Sequence, residues 1–326
     1  MDFIGKKLNA PLLGAPGTKL TNTTLKENLL NADVQFNSLV KLYEKFEPDI
    51  MLPFMELTVE ADTLGMGIKF PENDNPAVKE HKVSSVEDFK SVVRNYNGVS
   101  SRMKVFVDVI NKMSKNLPSS VNNLAYVIGP ISLVGELMGV EQVCMATVMD
   151  PDFVKKQLEF STKVISDYSN ALIDAGADGI VVLEPTAMLL SPPSYAEFSL
   201  EPFKELLGKA NSKNLILHIC GNTKHLVDGM YKTGTTGLSL DAPMNFKELK
   251  EQVPNDIALI GNVDPVNVML TGTPEKVESE SKKLISEMSD ADNFILSTGC
   301  DLPMETPLEN IDAFMKVAKK WKNNSL

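Results

Sequence analysis

Short apolar segments rich in Val, Ile and Leu recur along the chain, and most of them lack the alternation of apolar and polar residues that marks a half-exposed strand. Continuous apolar runs of this length are typical of parallel strands buried on both faces. They predict eight strands, at residues 11–16, 49–54, 124–130, 179–185, 215–221, 237–241, 257–265 and 294–300.

Longer segments with helical spacing of apolar residues lie between these runs. Two helix starts carry a capping-box pattern, Thr24 with Glu27 and Ser84 with Glu87. Strands that alternate with helices predict an α/β fold, a single (β/α)8 TIM barrel that spans residues 1–326 as one domain. A doubly wound open sheet is the alternative, but it usually has a glycine-rich first turn, and the sequence contains no GxGxxG or P-loop.

The composition narrows the range of partners. The 326 residues carry a formal net charge of −11 without any basic cluster, which argues against nucleic acid or an anionic membrane as the main partner. No run approaches the roughly 18 apolar residues that a membrane span needs. Three cysteines at distant positions do not form the disulfide framework of a small secreted protein, so we expect a cytoplasmic protein.

Polar and thiol side chains concentrate at the predicted carboxyl ends of the strands. Active sites of (β/α)8 barrels lie at this end, where the strands pass into the loops. Two of the three cysteines and one of the three histidines fall there together with several carboxylates, and the full set is Glu56, Glu184, His218, Cys220, Asp241, Asp264 and Cys300.

Three of these residues suit a metal ion. His218 and Cys220 are two positions apart and therefore share one face of a strand. Cys300 ends the last strand, from which its side chain can reach across the mouth of a closed barrel. An imidazole and two thiolates suit Zn²⁺, with Asp241, Glu184, water or substrate in the fourth position. The alternative is that the three are unrelated buried residues, because free cysteine is among the most buried residue types.

Other candidates are less specific. Glu56 follows the second strand beside apolar residues, where it either transfers protons with a raised pKa or is simply exposed. Asn262 and Asp264 either bind substrate or form an Asx-type turn. Cys144 lies in a predicted helix and is expected to be a packing residue.

Three segments of the sequence, residues 217–222, 261–265 and 297–301, resemble the uroporphyrinogen decarboxylase superfamily. More narrowly, they resemble its zinc-dependent branch, the methylcobamide:coenzyme M methyltransferases and related corrinoid methyltransferases. The resemblance implies a (β/α)8 barrel of the uroporphyrinogen decarboxylase type with Zn²⁺ on His218, Cys220 and Cys300. It also implies transfer of a methyl group between a corrinoid protein and a small substrate or a thiol such as coenzyme M, in a direction that the sequence leaves open.

The decarboxylase branch of the superfamily is the main rival. It uses no metal and relies on an N-terminal motif containing Arg and on a catalytic Asp, whereas residues 10–17 contain no Arg here and Glu56 stands at the matching position. The whole chain has two Arg, whereas a substrate with several carboxylates calls for several of the bidentate hydrogen-bond donors that Arg supplies. A barrel with a purely structural zinc is the non-enzymatic alternative. The chain also lacks the Asp-x-His-x-x-Gly pattern of corrinoid proteins, so a separate partner protein is expected to carry methylcobamide.

Overall fold

Eight parallel strands form a nearly closed barrel in the computed structural model, which describes residues 3–326. The order around the barrel is β1-β10-β9-β8-β7-β6-β5-β2, while β3 and β4 form a separate antiparallel hairpin. The predicted (β/α)8 architecture is therefore confirmed. The strands are β1 Leu8–Asn9, β2 Ile50–Met51, β3 Gly67–Lys69, β4 Ala77–Glu80, β5 Asn122–Ile128, β6 Gly179–Leu183, β7 Leu215–Ile219, β8 Gly237–Leu240, β9 Ala258–Val263 and β10 Phe294–Thr298.

The prediction of a first strand at residues 11–16 was wrong. The strand β1 lies earlier, and backbone pairing with β10 ends where Ala10 N–H donates to the carbonyl of Leu296. Pro11 has no N–H to continue the ladder. The apolar residues that follow are buried in an irregular segment that leads into a 3₁₀ turn at Ala15–Gly17, so their apolarity reflects burial and not a strand.

A side chain closes the seam between β1 and β2, the two ends of the hydrogen-bonded strand order. Asp49 Oδ2 accepts hydrogen bonds from Asn9 N at 3.1 Å and from Asn9 Nδ2 at 2.6 Å. Lys322, from the last helix, forms an ion pair with Asp49 Oδ1. One carboxylate thus holds together the first two strands and the C-terminal helix.

Helices surround the barrel, and the hairpin β3–β4 is inserted after the short helix that follows β2. The Thr24–Glu27 capping box is present, whereas Ser85, and not Ser84, caps the helix at 86–95 by accepting from Asp88 N. Within residues 3–326, no single helix is long and apolar enough to cross a membrane, although the helices Pro130–Met138 and Val140–Met149 meet that test together across a bend of 108°. The helices are α1 Thr18–Thr21, α2 Leu25–Leu30, α3 Ala32–Phe46, α4 Val59–Thr63, α5 Val86–Asn95, α6 Ser101–Asn116, α7 Pro130–Met138, α8 Val140–Met149, α9 Pro151–Asp174, α10 Pro192–Tyr195, α11 Glu201–Lys209, α12 Val227–Met230, α13 Phe246–Gln252, α14 Pro274–Glu287 and α15 Leu308–Lys322, with 3₁₀ turns at Pro185–Leu189 and Tyr231–Thr233 and π-helical turns at Ala196–Leu200 and Pro265–Leu270.

Alternate side chains of each strand enter the barrel or face the helices, as the period of two requires. Ile216 of β7 packs inside the barrel with residues of the other strands, whereas Leu215, Leu217 and Ile219 pack against the helices. His218 shares the inward set and lies in register with Ser239 of β8. The interior cluster includes Leu124, Tyr126, Val181, Leu183, Ile216, Ile260 and Ile295.

Candidate metal centre

The structure brings His218, Cys220 and Cys300 together at the carboxyl ends of β7 and β10. His218 Nε2 lies 3.1 Å from Cys220 Sγ and 3.7 Å from Cys300 Sγ, and the two sulfur atoms are 3.4 Å apart. They are the one group of three or more metal-ligating side chains found within residues 3–326. His218 is 1% exposed, and both cysteines are half-buried.

The spacing of these three atoms fits zinc. A tetrahedral Zn²⁺ lies about 2.3 Å from each sulfur and about 2.0 Å from each nitrogen, so its ligands stand roughly 3.5–3.8 Å from one another. The observed separations of 3.1, 3.4 and 3.7 Å are close to that range. Small shifts of the thiol side chains are enough to accommodate the ion, and the donor set of one imidazole and two sulfurs is one that zinc prefers.

Two neighbouring residues orient the candidate ligands. His218 Nδ1 lies 2.9 Å from Ser239 Oγ, a contact that leaves Nε2 for a metal. Asp241 Oδ2 accepts a hydrogen bond from Gly221 N at 2.8 Å, and Oδ1 accepts from Ala242 N at 2.7 Å. Asp241, predicted as the nearest carboxylate ligand, therefore braces the backbone directly after Cys220.

A cavity of about 370 Å³ opens above the thiol pair. Cys220, Cys300 and Glu56 line it, together with the loop at residues 73–76 that connects β3 to β4. The remaining lining is largely apolar and includes Met55, Leu57, Leu302 and Met304. The two sulfurs therefore face space of the size that a small molecule occupies.

The pKa values of the two thiols are shifted in opposite directions. The hydrogen bond from Cys300 lowers the pKa of the Cys220 thiol, while the same contact and burial raise the pKa of Cys300 well above its usual range. Burial and the neighbouring Cys300 also raise the pKa of Asp301. Ionisation is therefore favoured at Cys220 over Cys300, and the thiolate is the form in which cysteine binds metals.

Glu56 is held by a cation that the sequence analysis did not assign. Its Oε2 forms a buried ion pair with Arg102 Nη1, and its Oε1 accepts from Thr58 N at 2.7 Å. Arg102 also donates from Nε to Asp62 Oδ2 at 3.0 Å, and its guanidinium lies over the ring of Phe70. Glu56 reaches the cavity as a fixed, paired carboxylate. An Arg among the apolar residues of the 101–116 segment was the available signal for this pair.

The structure places three other candidate residues away from the thiols. Glu184 continues the outward-facing side of β6, where burial raises its pKa to about 7 and Oε1 accepts from Ser132 N at 2.7 Å in the first turn of α7. Asp264 caps the turn that follows β9 by accepting from Val266 N and Asn267 N, which is the Asx-type role. Asn262 donates to the carbonyls of Asp241 and Met244.

Asn262 and Asp264 line a separate groove together with residues of α13 and α14, and the cavity above the thiols does not include them. Glu184 is not placed to bind the metal, because side chains alternate along β6 and that of Glu184 falls on the face turned towards the helices. The predicted polar cluster at the barrel mouth therefore divides into a thiol site with its supports and residues that hold the loops in place.

Comparisons with known proteins identify the family of the chain and several of its relatives. The uroporphyrinogen decarboxylase (URO-D) family model matches residues 14–321. The methylcobamide:CoM methyltransferase MtbA of Methanosarcina acetivorans is 30% identical over 278 residues, which cover 84% of this chain and 80% of that protein. A uroporphyrinogen decarboxylase of Pseudoalteromonas atlantica is 22% identical over 302 residues, which cover 89% and 84%.

Among solved structures, a methyltransferase from Methanosarcina mazei has the same fold, with a TM-score of 0.86 and 23% identity over 98% of this chain and 95% of that one. The prediction of a methyltransferase enzyme is confirmed at the level of enzyme class by the methylcobamide:CoM methyltransferase relatives. Because the family model spans residues 14–321, the chain belongs to the uroporphyrinogen decarboxylase family.

Proposed function

We propose that the protein is a zinc-dependent methyltransferase that moves a methyl group between a corrinoid protein and a small thiol or methylated substrate. The observation that carries this proposal is the group of His218, Cys220 and Cys300, whose two sulfur-bearing members line a cavity sized for a small molecule. The methylcobamide:CoM methyltransferases among its relatives support the same chemistry.

In this proposal the chain's own residues hold and orient the metal. His218 supplies Nε2, Cys220 and Cys300 supply thiolates, and Ser239 fixes the imidazole through Nδ1. Zn²⁺ held by these residues would supply Lewis acidity, which lowers the pKa of a thiol that coordinates it. Glu56, fixed by Arg102, forms part of the wall that positions the substrate.

We further propose that a separate protein presents the corrinoid at the barrel mouth. The cavity has the volume of a small-molecule site, and the sequence has no Asp-x-His-x-x-Gly pattern with which to hold cobalt. A cytoplasmic location belongs to the same proposal, because reduced thiols at the site require a reducing compartment.

The arginine contacts weigh against the decarboxylase alternative. Arg94 is exposed and pairs with Glu87, while Arg102 is buried on Glu56 and Asp62. Neither guanidinium is left to bind the carboxylates of a porphyrinogen. A structural zinc is disfavoured because Cys220 and Cys300 both line the open cavity, whereas structural sites are closed by four protein ligands.

Metal analysis and methyl transfer test the proposal. We expect one zinc per chain after anaerobic purification and transfer from methylcobalamin to a small thiol. Cys220→Ala and Cys300→Ala should each lose the zinc and the activity. Cys144→Ala is the matched control, because Cys144 lies on α8 outside the site. Wild-type protein that folds and carries no stoichiometric zinc would refute the proposal.

A further inference from the structure

The tip of the β3–β4 hairpin, residues 71–76, forms one wall of the cavity above the thiols. Residues 73–76 line this cavity together with Leu25 at the start of α2. The tip and α2 are also bonded to each other, because Lys26 N donates to the carbonyl of Glu72 at 3.1 Å. The contact between the hairpin tip and α2 therefore joins two walls of the cavity.

A few polar contacts hold the tip in this position. Lys26 Nζ and Glu72 Oε1 form an ion pair at 2.8 Å, and Leu25 N donates to Asn73 Oδ1 at 3.3 Å. Among residues 3–326, no further hydrogen bond or ion pair joins the tip to another segment. The side chains of the ion pair are 37% and 65% exposed. Exposed contacts of this kind contribute little to stability, so the tip is held only weakly.

The rest of the hairpin is anchored in the protein. Ile68 of β3 is buried, and so is Val83, which follows β4 and whose N–H donates to the carbonyl of Leu137 at 3.0 Å. Phe70 packs against the core, and the guanidinium of Arg102 lies 4.7 Å from the centre of its ring. Release of the tip therefore leaves the base of the hairpin in place and moves the residues that line the cavity.

The other walls of the cavity are held more firmly. Glu56 is fixed by its buried ion pair with Arg102. Residues 303–305 also line the cavity, but they lie between Leu302 and Thr306, which are both fully buried. Local opening favours segments with few buried contacts, so the hairpin tip is the wall that opens most easily.

We propose that the hairpin tip is a gate of the thiol cavity, which is closed when the tip is bonded to α2 and which admits the corrinoid of the partner protein when the tip is released. The identity of the admitted group rests on the function proposed above, whereas the gating does not. A cavity of about 370 Å³ suits a small molecule, and a corrinoid is larger than the ligands that such cavities hold. Direct methyl transfer brings cobalt and the substrate to the same carbon atom, so one wall of the cavity has to move.

Thiol reactivity in the reduced, metal-free protein tests the gate. Cys144→Ala is the background, in which Cys220 and Cys300 are the remaining cysteines. The small reagent is N-ethylmaleimide, and the large one is aquacobalamin, whose Co(III)-bound water a thiolate displaces with no change of oxidation state. Glu72→Lys places a second cation against Lys26. We expect this variant to react about three- to tenfold faster with aquacobalamin, and at an unchanged rate with N-ethylmaleimide.

Two further variants separate the gate from other causes. The charge swap Lys26→Glu with Glu72→Lys restores an opposite-charge pair and should return the aquacobalamin rate to that of the wild type. Glu197→Lys changes the net charge equally and breaks the exposed ion pair with Lys155 outside the cavity, so it should leave the rate unchanged.

The gate is overturned by an aquacobalamin rate that does not rise in Glu72→Lys, or that the charge swap does not lower. An equal rise with N-ethylmaleimide also overturns it, because it indicates general loosening. If the gate responds as expected but the zinc-loaded protein transfers no methyl group from methylcobalamin, the proposed function fails and the gate stands.

Discussion

Replacing Ser239 with Ala removes the hydroxyl that faces His218 inside the barrel. The two residues are neighbours in register on β8 and β7, and Ser239 Oγ lies 2.9 Å from His218 Nδ1. The side chains are 4% and 1% exposed, so bulk water does not replace the lost partner. The imidazole then loses the contact that fixes its tautomer and its ring orientation.

The expected cost follows from the burial of this contact. A partner that orients a metal-binding histidine typically accounts for about 10–100-fold in metal affinity, or about 1.4–2.8 kcal/mol. Loss of a buried hydrogen bond also lowers the free energy of unfolding by roughly 1–3 kcal/mol. Ser297→Ala is the matched control, since Ser297 is fully buried on β10 and its Oγ donates to the carbonyl of Ala10 at 2.6 Å.

Competition with a chromophoric chelator measures the zinc dissociation constant, and urea unfolding of the metal-free proteins measures stability. We expect both variants to lose a comparable free energy of unfolding, while only Ser239→Ala weakens zinc binding by about 10–100-fold. Equal zinc affinity in Ser239→Ala and wild type would show that Ser239 does not position His218. Equal weakening in both variants would mean that general loosening of the barrel is the cause.

Three further predictions concern stability. Burial raises the pKa of Glu60 from 4.5 to about 8, so the folded protein retains a proton that the unfolded chain releases. The free energy of unfolding should therefore fall as pH rises from about 4.5 to about 8. Urea titrations should find a smaller pH dependence in Glu60→Gln, which should be more stable than the wild type at about pH 8. Arg102→Met leaves Glu56 buried without its cation and should lower the free energy of unfolding, measured by chemical denaturation, by about 3–5 kcal/mol. The control Arg94→Met removes an exposed ion pair and should change that free energy by less than about 1 kcal/mol. Equal effects of the two variants would contradict the role given to the buried pair. Asp49→Ala removes the hydrogen bonds across the β1–β2 seam and should cost about 2 kcal/mol by the same measurement, an expectation that an unchanged midpoint would exclude.

The barrel was predictable because its strands are buried on both faces. Seven of the eight apolar runs overlap an observed strand, since complete burial leaves a continuous apolar signal in the sequence. The first apolar run, at residues 11–16, led to a wrong prediction because this irregular segment is as buried as a strand. A continuous run of apolar residues therefore does not distinguish the two there. The hairpin β3–β4 has alternating exposure and short strands, and it was not predicted.

The thiol site was predictable because Cys220 directly follows β7, two residues after His218, so local geometry turns both side chains to the same face. The supports were harder to find because they depend on contacts between distant segments. The ion pair of Glu56 with Arg102 joins residues 46 positions apart, and the register of Ser239 beside His218 requires knowledge of strand pairing. The alternation of side chains along β6 could have been read from the sequence. It places Glu184 on the face turned towards the helices, which argues against Glu184 as a metal ligand.

The placement of the two thiols on β7 and β10 has a consequence for the motions of the barrel. Cys300 follows the strand that pairs with β1, beside the seam, whereas Cys220 follows a strand three places further round. An ion shared by both sulfurs ties β10, the only strand paired with the edge strand β1 in the described barrel, to β7 further round the wall. We therefore expect metal binding to slow amide hydrogen exchange in β1 and β10 more than in β6, because the ion would restrain local opening of the barrel next to the seam between β1 and β2.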